Sequence, residues 1–198
     1  ENEYKVLFFY KPNCAICTEM AAPHLKELYK KYRPLLDIEF VAINTSTNKE
    51  NWINYVLEQD VDWVNVCGEN MDNKELFAKH WPELEKEAKK TNAGLFFEAS
   101  CVGGVPIIRT LQEGMQANKI LSIKGIINGT TNYILTKMAN EGSTYEEALK
   151  EAQRLGYAEF NPTADVEGFD ATYKLSILSS LAFNKKICIE NVYREGIT

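Results

Sequence analysis

Between Gly156 and Lys174 the chain sets carboxylates at Glu159, Asp165, Glu167 and Asp170 and then a single lysine, Lys174. Leu175 to Phe183 follow, apolar almost all round, which predicts a buried helix. Asp170 and Lys174 stand four residues apart and so share a helix face at the mouth of that segment. A lysine partly desolvated beside carboxylates can donate a proton to a reacting oxygen. The same spacing also makes an ordinary helical ion pair, and spacing alone leaves both readings open. A second set lies near the start, where Cys14 and Cys17 form a CxxC at the change from strand to helix. A helix N-terminus there would stabilise a thiolate on Cys14, with Cys17 one turn on to resolve a mixed disulfide. A single CxxC is equally half of a metal site or a pair of inert thiols.

The elements that must position these groups follow from the hydrophobic pattern. Lys5 to Tyr10, Ile38 to Ile43 and Val61 to Cys67 read as strands. Helical patterns lie between them, over Cys14 to Tyr32 with a kink expected at Pro23, and over Lys49 to Gln59. This β-α-β-α-β order predicts a parallel sheet. After Gly68 the pattern changes. A charged helix is expected over Asn73 to Lys90, broken near Trp81 and Pro82. Strands are expected over Leu95 to Ala99, Ile120 to Ile127 and Val192 to Gly196. Further helices are expected over Ile107 to Asn118, from Thr130 to about Asn140, and over Tyr145 to Leu155 with Ser143 as its cap. The fold class is thus α/β. The domains expected are 1–68, a βαβαβ half domain carrying the CxxC, and 69–198, an α+β segment carrying the acids and Lys174.

Composition narrows the function classes. The chain has 198 residues and a net charge of −6, with no basic face to neutralise phosphates, so nucleic acid is not an expected partner. No apolar run approaches a membrane span, and Glu1 to Tyr4 do not resemble a signal peptide, which makes the cytoplasm the expected compartment. Five cysteines with one close pair are not a disulfide framework, and two distant histidines complete no zinc site. The partners expected are a small-molecule substrate and, at most, a second copy of the chain in a homodimer.

Residues 4–67 resemble the first half of a thioredoxin-like thiol–disulfide oxidoreductase, through Val6 to Tyr10, Cys14 to Cys17, Pro23, Ile38 to Asn44 and Asp62 to Val66. From Asn73 onward the sequence resembles the catalytic region of homoserine dehydrogenase. Asn73 to Leu76, Phe97 to Ser100, Gly103 to Ile108, Lys124 to Ile134, Gly156 to Lys174 and Glu195 to Ile197 carry that resemblance. It implies reduction of L-aspartate semialdehyde to L-homoserine by NADPH or NADH. Lys174 then matches the proton donor, and Asp170 and Glu159 match acids that orient the lysine and hold the amino-acid end of the substrate. Asp165 matches a further active-site carboxylate, Tyr157 lies beside the substrate, and Lys74 matches a second lysine between cofactor and substrate.

The same resemblance implies a sodium site on the backbone carbonyls of Glu98, Cys101, Gly103 and Val105. Val102 stands there in place of a glycine, a poor substitute if the position needs a positive φ. The family's Rossmann cofactor domain has no counterpart, since no G-x-G-x-x-G occurs in the sequence. The whole therefore looks chimaeric. Three functions are carried forward: homoserine dehydrogenase-like reduction, thiol–disulfide exchange at Cys14 and Cys17, and a non-catalytic chimaeric fragment.

Overall fold

The computed structural model describes residues 3–10, 12, 22–44, 48–59, 63–67 and 83–198. Cys14, Cys17 and Lys74, together with the expected change of pattern at 68–73 and the helix break at Trp81 and Pro82, lie outside the described residues. The chain divides into two compact units, Glu1–Asn73 and Lys74–Thr198.

In the first unit β1 (Tyr4–Tyr10), α1 (Ala22–Tyr32), β2 (Ile38–Asn44), α2 (Lys49–Glu58) and β3 (Val64–Cys67) alternate along the chain. All pairing is parallel in the order β1-β2-β3, with Tyr10 opposite Asn44 and Asn44 opposite Cys67. Aromatic side chains hold this unit together. Tyr29 of α1 meets Phe40 and Trp63 edge-on, with ring centroids 5.1 and 5.5 Å apart, and Phe40 stacks on Trp63. Each such contact contributes about 0.5–1.5 kcal/mol beyond area burial. Asn48 caps α2 by accepting from Asn51 N–H at 3.0 Å, and Trp52 Nε1 donates to Tyr10 Oη at 3.0 Å, which ties α2 to β1.

The second unit is helical. Residues 83–91 form α3. α4 (Ile107–Arg109) runs into a π-helical turn at Thr110–Gly114. α5 (Gly129–Glu141), α6 (Tyr145–Arg154), α7 (Thr163–Val166) and α8 (Phe169–Phe183) follow. The cap of α6 is Thr144 rather than Ser143. Thr144 Oγ accepts from Glu147 N–H, and the Glu147 carboxylate returns to Thr144 N–H, a reciprocal pair that only this three-residue spacing permits. Ala148 and Ala152 let α6 approach Ile134 of α5 closely. α8 is buried over Tyr173, Ser176, Ile177 and Leu178, as its apolar sequence predicts. Two of its serines bond to backbone, Ser176 Oγ donating to the Ile187 carbonyl and Ser180 Oγ to the Ser176 carbonyl.

The segments expected as strands over Leu95 to Ala99, Ile120 to Ile127 and Val192 to Gly196 are not strands. A strand exists only where a neighbouring backbone takes up its N–H and C=O groups. Among the described residues of this unit, no ladder forms beside them. Phe96, Leu121 and Ile126 accordingly stand well out in solvent.

Candidate active site

Three chain segments meet around the acids: the N-terminus of α5, the α7–α8 corner, and residues 194–197. The corner turns at Gly168, whose φ of 78° suits glycine. A Cβ there would lie 3.0 Å from the Glu195 carbonyl oxygen, and one on Gly196 would lie 3.0 Å from that of Val166. These glycines let residues 194–197 lie directly on the corner. Ile197 N–H donates to the Val166 carbonyl at 2.9 Å. The Arg194 guanidinium donates to the Glu167 carbonyl and covers the Phe169 ring at 3.6 Å. α8 starts immediately after Gly168, so Asp170 falls in its first turn, where the helix dipole favours a carboxylate.

Asp170 is 1% exposed. Its Oδ2 accepts from Lys174 Nζ at 2.7 Å and from Asn128 Nδ2 at 2.8 Å. Lys174, with 12% of its side chain exposed, also donates from Nζ to the Ile127 carbonyl at 2.7 Å. Asn128 caps α5, accepting at Oδ1 from Thr131 N–H at 2.8 Å and from the Thr131 hydroxyl at 2.9 Å. Its second Nδ2 proton goes to Asp165 Oδ1 at 2.6 Å. Thr130 Oγ lies 2.6 Å from the Tyr157 carbonyl and 3.1 Å from Asp165 Oδ2. A buried, charge-assisted network therefore joins Asp165, Asn128, Asp170 and Lys174. This arrangement can hold an ammonium in a mostly dry site with defined orientation, which is what proton delivery to an oxygen requires.

Other predicted site residues sit elsewhere. Glu159 is exposed, and its backbone carbonyl accepts from Gln153 Nε2. The Tyr157 ring stacks on Tyr133 with centroids 4.9 Å apart. Both rings line a groove of about 420 Å³ along α5 that also includes Gly129 and Lys137 but neither Asp170 nor Lys174.

Cys101 is fully buried beneath α8, its Sγ 3.8 Å from the Lys174 carbonyl oxygen. Burial pushes its thiol up to about 11, so it is a packing residue rather than a nucleophile at neutral pH. The loop expected to hold sodium is engaged with itself. The Glu98 carbonyl accepts from Cys101 N–H and that of Val105 from Ile107 N–H. The Glu98 carboxylate caps α4 through Ile108 and Arg109 N–H. Val102 does adopt a positive φ, 47°, which is strained for a β-branched residue. One acceptor position on each of the Glu98 and Val105 carbonyls is thus already taken, and no step is carried through a cation at Glu98, Cys101, Gly103 and Val105. Among the described residues no group of three His, Cys, Asp or Glu side chains could hold a metal ion. No helix of the described residues is long and apolar enough to cross a membrane.

Sequence reasoning missed Asn128 and Thr130 as site residues, reading Asn128 to Thr131 as the entry to a helix within the Lys124 to Ile134 block. The signal was a capping residue with a spare amide.

The two parts of the chain are similar to two different groups of known proteins. Residues 106–198 match the homoserine dehydrogenase family, and residues 2–85 match a thioredoxin-like family. The homoserine dehydrogenase of Bacillus subtilis is 52% identical over 126 residues, 64% of this chain and 29% of that protein. That of Helicobacter pylori is 52% identical over 125 residues, with 63% and 29% covered. Among solved structures, a homoserine dehydrogenase from Thiobacillus denitrificans superposes with a TM-score of 0.63 at 28% identity, covering 100% of this chain and 53% of that one. A hyperthermophilic archaeal homoserine dehydrogenase mutant in complex with NADPH gives 0.59 at 32% identity, covering 87% and 50%. The chain thus spans about 29% of the length of these curated relatives. It joins a thioredoxin-like segment to a homoserine dehydrogenase-like one, a chimaeric arrangement in which the second segment carries the buried acid–lysine network.

Proposed function

We propose that the second unit is the substrate-and-proton half of a homoserine dehydrogenase-type oxidoreductase site, acting on L-aspartate semialdehyde to give L-homoserine. The observation that carries this is the Lys174 ammonium, held on one side by Asp170 Oδ2 and on another by the Ile127 carbonyl. An ammonium has three N–H donors, so one remains for a carbonyl oxygen. As that oxygen gains negative charge, the Nζ–H bond breaks and an O–H bond forms, and Lys174 regains its proton from water. Asp170 stays anionic and stabilises the ammonium. Asp165, Glu159 and Tyr157 would hold the amino-acid end of the substrate, and Lys74 would lie between substrate and cofactor.

A reduced nicotinamide dinucleotide, NADPH or NADH, supplies the hydride in this reaction class. The sheet unit does not fit such a group. The first glycine of the chain is Gly68, so no glycine-rich turn follows β1 to let a pyrophosphate approach the backbone. The test is NADPH oxidation dependent on aspartate semialdehyde, run beside Lys174→Ala. Loss of at least about a hundredfold in the variant supports the proton-donor role. Equal rates in folded parent and variant would reject it. A second reading rests on the thioredoxin-like match of residues 2–85. In it Cys14 attacks a disulfide as thiolate and Cys17 resolves the mixed disulfide. An ordinary thiol titration near 8.5 at Cys14 in alkylation kinetics would remove that reading.

A further inference from the structure

We propose that Asn128 is a positioning residue that fixes Asp170, and through it Lys174, in addition to capping α5; this rests on the reading of Lys174 as the proton donor. Capping uses only the Oδ1 side of the amide, which takes the Thr131 N–H and hydroxyl. Serine or aspartate would cap as well as asparagine. The Nδ2 side is what only an amide provides. One of its protons goes to Asp165 Oδ1 at 2.6 Å and the other to Asp170 Oδ2 at 2.8 Å. Flipping the amide would turn its oxygen onto two carboxylates and its NH2 onto the Thr131 N–H, so the network fixes its orientation.

Asn128 therefore separates two like charges brought together from α7 and α8. It also occupies the second acceptor site of the same oxygen that holds Lys174. With both sites of Oδ2 filled, the Asp170 carboxylate is held against Nζ from two sides. Asn128 is itself 7% exposed, so water is a poor replacement for it.

Asn128→Ser separates the two roles, because it keeps a cap and loses the bridge. The readouts are the melting temperature, hydrogen exchange at the Thr131 backbone amide, and the ¹⁵N resonance and proton exchange of the Lys174 ammonium. The expected result is a folded variant with Thr131 protection kept and Lys174 ammonium exchange accelerated at least about tenfold, the equivalent of one charge-assisted hydrogen bond. A folded variant with unchanged Lys174 exchange overturns the proposal. Should Asn128→Ser not fold, the unaltered protein decides. Two separately shifted, exchange-protected Asn128 Nδ2 protons, one of them moved by Asp165→Ala, uphold the bridge, and a pair at solvent-like positions overturns it. None of these readouts involves substrate or cofactor, so they are decided separately from whether the second unit binds homoserine or turns over.

Discussion

The sheet unit and the helical unit are held in opposite ways. At the centre of the first, Tyr29, Phe40 and Trp63 interlock as rings, and the buried Asn44 side chain donates to Cys67 Sγ at 3.5 Å across the β2–β3 register. The second unit has apolar clusters too, but at the N-termini of α5 and α8 it buries a carboxylate, an amide and a lysine head group together. Interlocked rings are an efficient source of stability. A buried ion pair is not, because desolvation offsets most of its attraction, and apolar residues of similar size often do as well or better. The contrast teaches where to look for chemistry: charge buried at a cost to stability needs another reason to be there.

The largest expected effects separate these two kinds of centre. Phe40→Ala should cost about 3–5 kcal/mol in urea unfolding through lost packing and a cavity. Asp170→Ala should cost a similar amount, about 3–5 kcal/mol, because Lys174 is left buried without its counter-charge. The pair differs from the ring in being replaceable. Asp170→Leu combined with Lys174→Met should recover stability to within about 1 kcal/mol of the parent or exceed it. A double variant as unstable as Asp170→Ala would mean that the network is structural after all.

Smaller effects sharpen the comparison within the helical unit. Val102→Gly should stabilise by about 1 kcal/mol, because it releases a β-branched residue from left-handed backbone. A loss of stability there would show that the packing of Val102 outweighs its strain. Thr144→Ala should cost about 1 kcal/mol by removing the cap of α6, while Ser143→Ala should be close to neutral. A further effect is a pH slope. Folding raises the Cys101 thiol from the ordinary 9.0 to about 11. Its contribution to stability is therefore fully present below pH 9 and is lost as pH rises towards 11. Cys101→Val should remove this contribution and flatten the variant's own dependence of stability on pH across that window, and a slope equal to the parent's would place the thiol elsewhere.

Legibility in the sequence followed the range of the interactions. The strands β1 and β2 and the helix α8 could be read because their patterns are local and long. The Asp170–Lys174 pair could be read because helical spacing brings those two residues together whatever else the chain does. Asn128 could not, since its carboxylate partners lie 37 and 42 residues away and only the packing of α5 against the α7–α8 corner unites them. The segments at 95–99 and 120–127 failed for a related reason. An apolar, extended sequence specifies a strand only together with a partner, and their own residues do not encode one. The cap of α6 was a nearer miss, because the Thr144-to-Glu147 spacing was present in the sequence and outranks the neighbouring Ser143.

The central claim is that the buried network presents the Lys174 ammonium to an oxygen of the substrate. Calorimetric titration of L-homoserine into the parent protein and into Lys174→Met tests this without requiring the cofactor. Saturable binding by the parent, weakened at least about tenfold in a folded Lys174→Met, is the predicted result for loss of one charge-assisted hydrogen bond. No binding to the folded parent, or equal binding by both proteins, would contradict it.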